Sequence, residues 1–274
     1  MSQYWRLVRG EHGVLAAMAA AASYALAGGR SPEATALLAA STFLAEAGMF
    51  AHNDVANLAE DRLNRPNAPL VTGAVSLGAA KAVSVGSYTL GLIAAAFLGP
   101  APLAIYAAAA VLGAFYNIKG KRVPFLGNFL VAFLTSLVYI YGMAAAGLYF
   151  QPLFLLFAAS LLANLGRELA KTAIDYYGDR AAGIRTAAVV LGQERAARLG
   201  AYLAAFSTPI GAYLAFEAAA TLPVFAAGVA ITTAALAALS YLCLRGRWET
   251  FRKGSLAAFG VTLAALMIQA LIAV

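Results

Sequence analysis

The 274-residue chain is predicted to be an all-α bundle of nine membrane-crossing helices with a cytoplasmic N-terminus, and three observations predict it. Hydrophobic residues make up 62% of the chain and charged residues 11%, against roughly 45–50% and about 25% in a soluble domain. Mean hydropathy is +0.78. Nine segments approach the roughly 20 apolar residues that a bilayer crossing needs, and the connections between them alternate between basic and nearly base-free. A soluble globule and a disordered chain are excluded by this composition, and a disulfide scaffold by the single cysteine, Cys243.

The spans lie near residues 13–28, 33–53, 77–97, 101–117, 125–147, 151–173, 196–216, 222–243 and 255–273. Turns around 98–101, 148–152 and 217–222 hold no Lys or Arg, and the turn at 29–33 holds only Arg30. Every other basic residue falls at the opposite ends of the spans. The positive-inside rule then places those ends in the cytoplasm, so the net charge of +7 reads as topology rather than as a nucleic-acid surface. Trp5 and Trp248 fall at the same interface, where indoles anchor. Met1–His12 is polar and basic without a small-residue cleavage site, so no cleavable signal is expected. One domain is expected over 1–274, in two pseudo-repeated halves, approximately 1–123 and 124–274.

Ionisable groups at membrane depth are costly and mark function by default. Asn53, Asp54, Asn57, Glu60 and Asp61 end the second span in the string NDVANLAEDRLNRPNAPL, and spacings of three and four put Asp54, Asn57 and Asp61 on one helical face. Arg167, Glu168, Lys171, Asp175 and Asp179 end the sixth span, and spacings of four put Lys171, Asp175 and Asp179 on one face. An even number of crossings separates the clusters, so both reach the cytoplasmic side. Converging carboxylates need a counter-charge. Mg²⁺ supplies one while taking one or two protein carboxylates and substrate phosphate, and the nearby bases suit the rest of a diphosphate's charge. A lipid diphosphate entering a central apolar cavity from the cytoplasmic side would satisfy both requirements.

At these residues the sequence resembles the UbiA superfamily of intramembrane prenyltransferases, most closely its archaeal digeranylgeranylglyceryl phosphate synthase-like branch. The first family motif, NDxxDxxxD with an NRPxRP-like stretch, is matched by Asn53, Asp54, Asp61 and Asn64-Arg65-Pro66-Asn67-Ala68-Pro69. The second is matched by Arg167, Glu168, Lys171, Asp175, Gly178, Asp179, Gly183 and Thr186. Tyr116, Lys119, Lys121, Arg122 and Gly127-Asn128 resemble the family's loop after the fourth span. Asn57 replaces the middle aspartate of the first motif, removing one negative charge, and Ala68 replaces its second arginine.

The resemblance implies prenyl transfer from an isoprenoid diphosphate to a lipophilic acceptor, best matched by the hydroxyl of geranylgeranylglyceryl phosphate, with an aromatic quinone precursor as the alternative. It implies two Mg²⁺ ions, one near Asn53, Asp54, Asn57 and Asp61 and one near Asp175 and Asp179, with Asp54, Asp61, Asp175 and Asp179 as the catalytic set. Arg65, Lys119, Lys121 and Lys171 would neutralise departing pyrophosphate, Tyr116 would face the allylic cation, and Arg9 and Arg167 would contact substrate.

Other residues carry plainer readings. Glu46 reads first as a protonated structural carboxyl and second as a group touching the acceptor or a cation. His52 reads as structural beside an oxygen-preferring metal site, Arg9 equally as an interfacial anchor, and Cys243 as an apolar filler. A transporter would need broken helices and midplane charge, and a phosphatidyltransferase a DGxxAR stretch that the sequence lacks.

Overall fold

The computed structural model describes residues 2–181 and 183–273, with the side chain of Leu63 outside the description. Thirteen α-helices and one 3-10 turn occur among them, and no strand. In chain order they are α1 (Gln3–Leu7), α2 (Gly10–Leu26), α3 (Pro32–Ala56), α4 (Leu58–Asn64), α5 (Leu77–Phe97), α6 (Pro100–Ile118), the 3-10 turn Gly120–Arg122, α7 (Leu126–Ala146), α8 (Gln151–Ile174), α9 (Tyr176–Ala181), α10 (Ala187–Leu191), α11 (Gln193–Ala218), α12 (Pro223–Leu244) and α13 (Trp248–Ala273).

Local chemistry sets the ends of the long helices. Ser31 caps α3 by accepting from Ala34 N at 3.1 Å, with Pro32 in the first turn, and Ser76 caps α5 by accepting from Ala79 N at 3.2 Å. Pro100, Pro152 and Pro223 open α6, α8 and α12, where a missing N–H costs nothing. The free amides that begin α12 find a partner outside it: Gln269 of α13 accepts from Val224 N at 3.0 Å and Phe225 N at 3.3 Å.

Among the described residues, eight helices are long and apolar enough to cross a membrane: α3, α5, α6, α7, α8, α11, α12 and α13. The first expected span corresponds to α2, whose 17 residues lie at the short end of the crossing range. Bulky side chains such as Phe97, Phe216 and Leu271 point outward, as a hydrocarbon solvent allows.

The helices close into a ring. α2 packs on α3, α7 and α13; α3 on α5 and α6; α6 on α7; α7 on α8; α8 on α11; α11 on α12; and α12 on α13. Without a hydrophobic drive between helices in lipid, small residues and hydrogen bonds hold such contacts. Ser41 and Tyr141 hydroxyls lie 2.7 Å apart across α3 and α7, Ser136 donates to Ser160 at 3.1 Å across α7 and α8, and Thr262 to Thr232 at 2.8 Å across α13 and α12. The tightest crossing joins α8 to α11, where a β-carbon on Gly166 would meet Gly200 O and lie 2.8 Å from Ala204 N. Cys243 is the expected filler, buried with its thiol 3.6 Å from Ala197 O.

Two expected helical faces are broken. α3 stops at Ala56 with Asn57 as its cap, so Asp61 sits on the separate α4. α8 stops at Ile174 with Asp175 as its cap, so Asp179 sits on α9. The chain leaves both spans within the acidic motifs. Asp61 and Asp179 therefore sit on separate short helices rather than continuing down one face of α3 and α8.

Candidate active site

The first cluster is a charge network around Asp54, which is 1% exposed. Its Oδ1 accepts from Arg65 Nη1 at 3.0 Å and Arg9 Nη2 at 3.4 Å, and Arg65 Nη1 also reaches Asp61 Oδ2 at 3.2 Å. Asp54 Oδ2 is buried without any hydrogen-bond partner. Burial pushes the Asp61 carboxyl above its ordinary value, with Arg65 opposing.

Arg9 reaches this network from a left-handed conformation, φ 46°, at the junction of α1 and α2. A side chain rarely adopts that region, and such strain gathers where function over-determines it. Its guanidinium also lies 4.3 Å from the Phe50 ring centroid.

The remaining members divide unevenly. Asn53 Nδ2 donates to Asn117 Oδ1 at 2.9 Å, and Asn117 Nδ2 donates to Met49 O at 3.0 Å. Asn57 accepts from Lys121 Nζ, which also bonds Glu60 Oε2 at 2.6 Å, while Arg122 bonds Glu60 Oε1 at 3.3 Å. Lys119 is exposed at the end of α6. The 3-10 turn is thereby fastened to the first cluster by its basic side chains.

That fastening is acid-labile. Burial alone would raise the Glu60 carboxyl, but Lys121 and Arg122 together hold it below its ordinary value. A depressed carboxylate contributes stability that is present above its unfolded value and lost as pH falls through the folded one. The thermal midpoint of Glu60→Gln should therefore lie below that of the wild type at neutral pH, and the two should converge well below the ordinary glutamate range. Equal midpoints at both pH values would show that the contact carries no stability.

In the second cluster the bases gather on Glu168, not on the aspartates. Arg167 Nη1 bonds Glu168 Oε1 at 2.9 Å and Lys171 Nζ bonds Oε2 at 2.8 Å, with Glu168 buried. Asp175 is exposed and Asp179 half-buried, and burial pushes the Asp179 carboxyl up. Lys171, expected to share a face with Asp175 and Asp179, bonds its i−3 neighbour Glu168 instead.

The α6–α7 connection joins the two clusters. Lys121 bonds Asn57 and Glu60 of the first, Asn128 Nδ2 donates to Glu168 O of the second at 3.3 Å, and Tyr116 lies within electrostatic reach of both Arg9 and Glu168. Arg9 from one cluster and Arg167, Glu168 and Lys171 from the other line a chamber of about 870 Å³ that runs into the bundle among α2, α3, α6, α7, α8, α11, α12 and α13. Asp175 does not line it, and no described contact joins Asp175 to Asp54.

Over residues 14–271 the sequence matches the UbiA prenyltransferase family. The chain belongs to that family. A digeranylgeranylglyceryl phosphate synthase of Methanoregula boonei is 35% identical over 236 residues, covering 82% of this chain and 85% of the relative. That of Methanoculleus marisnigri is 35% identical over 70% of this chain and 69% of its own. Among solved structures, one from work on digeranylgeranylglyceryl phosphate synthase in membranes superposes with a TM-score of 0.82 at 23% identity, covering 98% of both chains. A UbiA homologue of Archaeoglobus fulgidus bound to GPP and Mg²⁺ superposes with a TM-score of 0.79 at 20% identity over 99% of both. Family membership makes the chain a prenyltransferase in an integral membrane fold and sets aside the transporter and phosphatidyltransferase readings.

Two participants escaped the motif reading as individual functional residues. Glu168 appears in the second motif but is overshadowed there by the more familiar aspartates, although an i,i+3 lysine was visible. Asn117 carries a plainer signal, an amide inside an apolar span that has to find partners.

Proposed function

We propose that this UbiA-family chain transfers a geranylgeranyl group from its diphosphate to the free hydroxyl of geranylgeranylglyceryl phosphate, an Mg²⁺-dependent step in ether-lipid synthesis. The names of the relatives from Methanoregula boonei and Methanoculleus marisnigri support the reaction. The observation that carries it is Asp54: a buried carboxylate with two guanidiniums on one oxygen and nothing on the other, one of those guanidiniums, Arg9, lining the apolar chamber.

The donor set fits Mg²⁺. The orphaned Asp54 Oδ2 offers a hard oxygen, Asp61 stands beside it across Arg65, and among the described residues no group of three or more His, Cys, Asp and Glu forms a closed cage. Mg²⁺ uses one or two carboxylates and completes its shell with water and phosphate, so a cage is not required. We assign one ion to Asn53, Asp54 and Asp61, with Asn57 joining only by releasing Lys121, and a second to Asp175 and Asp179. When bound, Mg²⁺ supplies Lewis acidity to the diphosphate oxygens.

The chain's own residues do the rest. Arg9, Arg65 and Lys121 bring positive charge to the leaving diphosphate from the first cluster, and Arg167 and Lys171 from the second, each already oriented by a carboxylate. Lys119, being exposed, acts as a mobile counter-charge at the entrance. Tyr116 faces the allylic cation between the clusters, and the apolar chamber keeps water from it.

Nine crossings with α2 counted, a cytoplasmic N-terminus and two pseudo-repeated halves complete the reading. The basic residues at one end of the bundle support the orientation. The repeat is supported by parallel packing: α2 on α3, α3 on α5 and α5 on α6 in one half correspond to α7 on α8, α8 on α11 and α11 on α12 in the other. Each motif then ends the second long helix of its half.

The chamber also touches the outside. Leu15 of α2 and Leu256 of α13 line it and are 51% and 58% exposed, so lipid-borne acceptor and product pass between these two helices. Purified protein given labelled geranylgeranyl diphosphate with and without Mg²⁺, and with geranylgeranylglyceryl phosphate or an aromatic acceptor, tests the reaction. Product is expected only with Mg²⁺ and the glycerophosphate. Transfer to the aromatic acceptor alone would overturn the acceptor assignment, and transfer to neither would overturn the reaction.

A further inference from the structure

Glu46 stands two helical turns before Asp54 on α3 and, with Phe50, shares the face that carries Asp54. It lines the chamber and has neither a hydrogen bond nor an ion pair among the described residues, Arg9 being the cation within electrostatic reach. Arg9 itself is engaged with Asp54. Other polar groups of the chamber wall are turned back onto the protein: Thr42 to Leu38 O, Thr232 to Ala258 O, Ser207 to Ala204 O and Asn164 to Ser160 O.

An unpartnered carboxyl in an apolar wall is costly unless something polar arrives to meet it. A prenyl chain has nothing to offer. A hydroxyl does. Glu46 and Asp54 are about 12 Å apart along the helix axis, which leaves room for a diphosphate beside Asp54 with the first prenyl carbon near the level of Glu46.

Resting on the prenyl-transfer reading above, we propose that Glu46 receives the free hydroxyl of the acceptor and takes its proton as the ether bond forms. The hydroxyl oxygen uses a lone pair to bond the first prenyl carbon. The bond from that carbon to the diphosphate breaks, and its electron pair leaves on the diphosphate. The proton passes from the acceptor oxygen to the Glu46 carboxylate. Asp54 and its arginines thus serve the donor, and Glu46 serves the acceptor.

The test separates the two ends. In the full-length protein, Glu46→Gln keeps the size and removes the base; its transfer to geranylgeranylglyceryl phosphate should fall about 100-fold. Binding of geranylgeranyl diphosphate and acceptor-independent pyrophosphate release should stay at wild-type values. Glu46→Asp should recover part of the transfer, and both Glu46 variants should leave the KM for the donor unchanged. Wild-type transfer by Glu46→Gln would overturn the proposal, as would parallel losses of transfer, donor turnover and thermal midpoint, which mark a structural carboxyl. If wild-type protein itself makes no product with any acceptor, the prenyl-transfer reading fails first and takes this assignment with it.

Discussion

Replacing Asp54 with alanine is expected to remove prenyl transfer, by at least about 10³-fold, while the protein still folds. Asp54 Oδ1 is the common acceptor for Arg9 and Arg65, which come from opposite sides in sequence. Without it, two guanidiniums face each other with Asp61 as the nearest remaining carboxylate. The metal loses its best-placed oxygen, and the cations lose the group that orients them. Asp54→Asn keeps the shape and one oxygen but not the charge, so its loss should be nearly as large. Mg²⁺-dependent product formation from labelled geranylgeranyl diphosphate reads the effect, and a thermal midpoint reads folding. Asp175→Ala should show a comparable loss if the second ion sits there. An unaltered rate in Asp175→Ala would move that ion's site to Glu168, the buried carboxylate of the second cluster.

The largest effect on stability belongs to the crossing of α8 and α11. Valine at Gly166 would press its side chain against backbone, Gly200 O and Ala204 N, neither of which is a flexible side-chain end. The reciprocal contact is as close, since a β-carbon on Gly200 would meet Ala170 N at 2.9 Å. Overpacking of this kind costs about 3 kcal/mol or more, and Gly166→Val should sharply lower both the thermal midpoint and the folded yield. Activity should fall further than the folded fraction, because the next residues on α8 are Arg167 and Glu168. Gly86 supplies the contrast: nothing lies within 4 Å of a β-carbon there, so Gly86→Ala should hold or slightly raise the midpoint, in keeping with alanine's better helix propensity. A midpoint for Gly166→Val equal to that of Gly86→Ala would show that the helices are not in contact.

The long helices were legible because crossing a bilayer imposes a length and a polarity on every segment, whereas their closure into a ring was no part of the sequence reading. Asp54, Asp61, Asp175 and Asp179 stood out in the sequence because carboxylates are rare at the ends of such apolar spans. The division of labour among them did not. Spacings of three and four continue a helical period whether or not the helix continues, so nothing in NDVANLAED announced the break at Asn57, nor anything in KTAIDYYGD the break at Asp175. Partner choice was hidden for a related reason. Lys171 is equally suited to Glu168 and Asp175 by sequence distance, and the structure pairs it with Glu168. The close approach of Gly166 and Gly200 was invisible too, because 25 glycines offered no reason to select that pair.

The placement of Leu15 and Leu256, which line the chamber and are both more than half exposed, has a kinetic consequence. On the proposed reading, an acceptor that arrives sideways meets the enzyme in two dimensions. Its abundance per lipid or detergent molecule then governs turnover, rather than its amount per litre. Adding micelles at constant bulk substrate should slow the reaction by surface dilution alone, with no change in the protein.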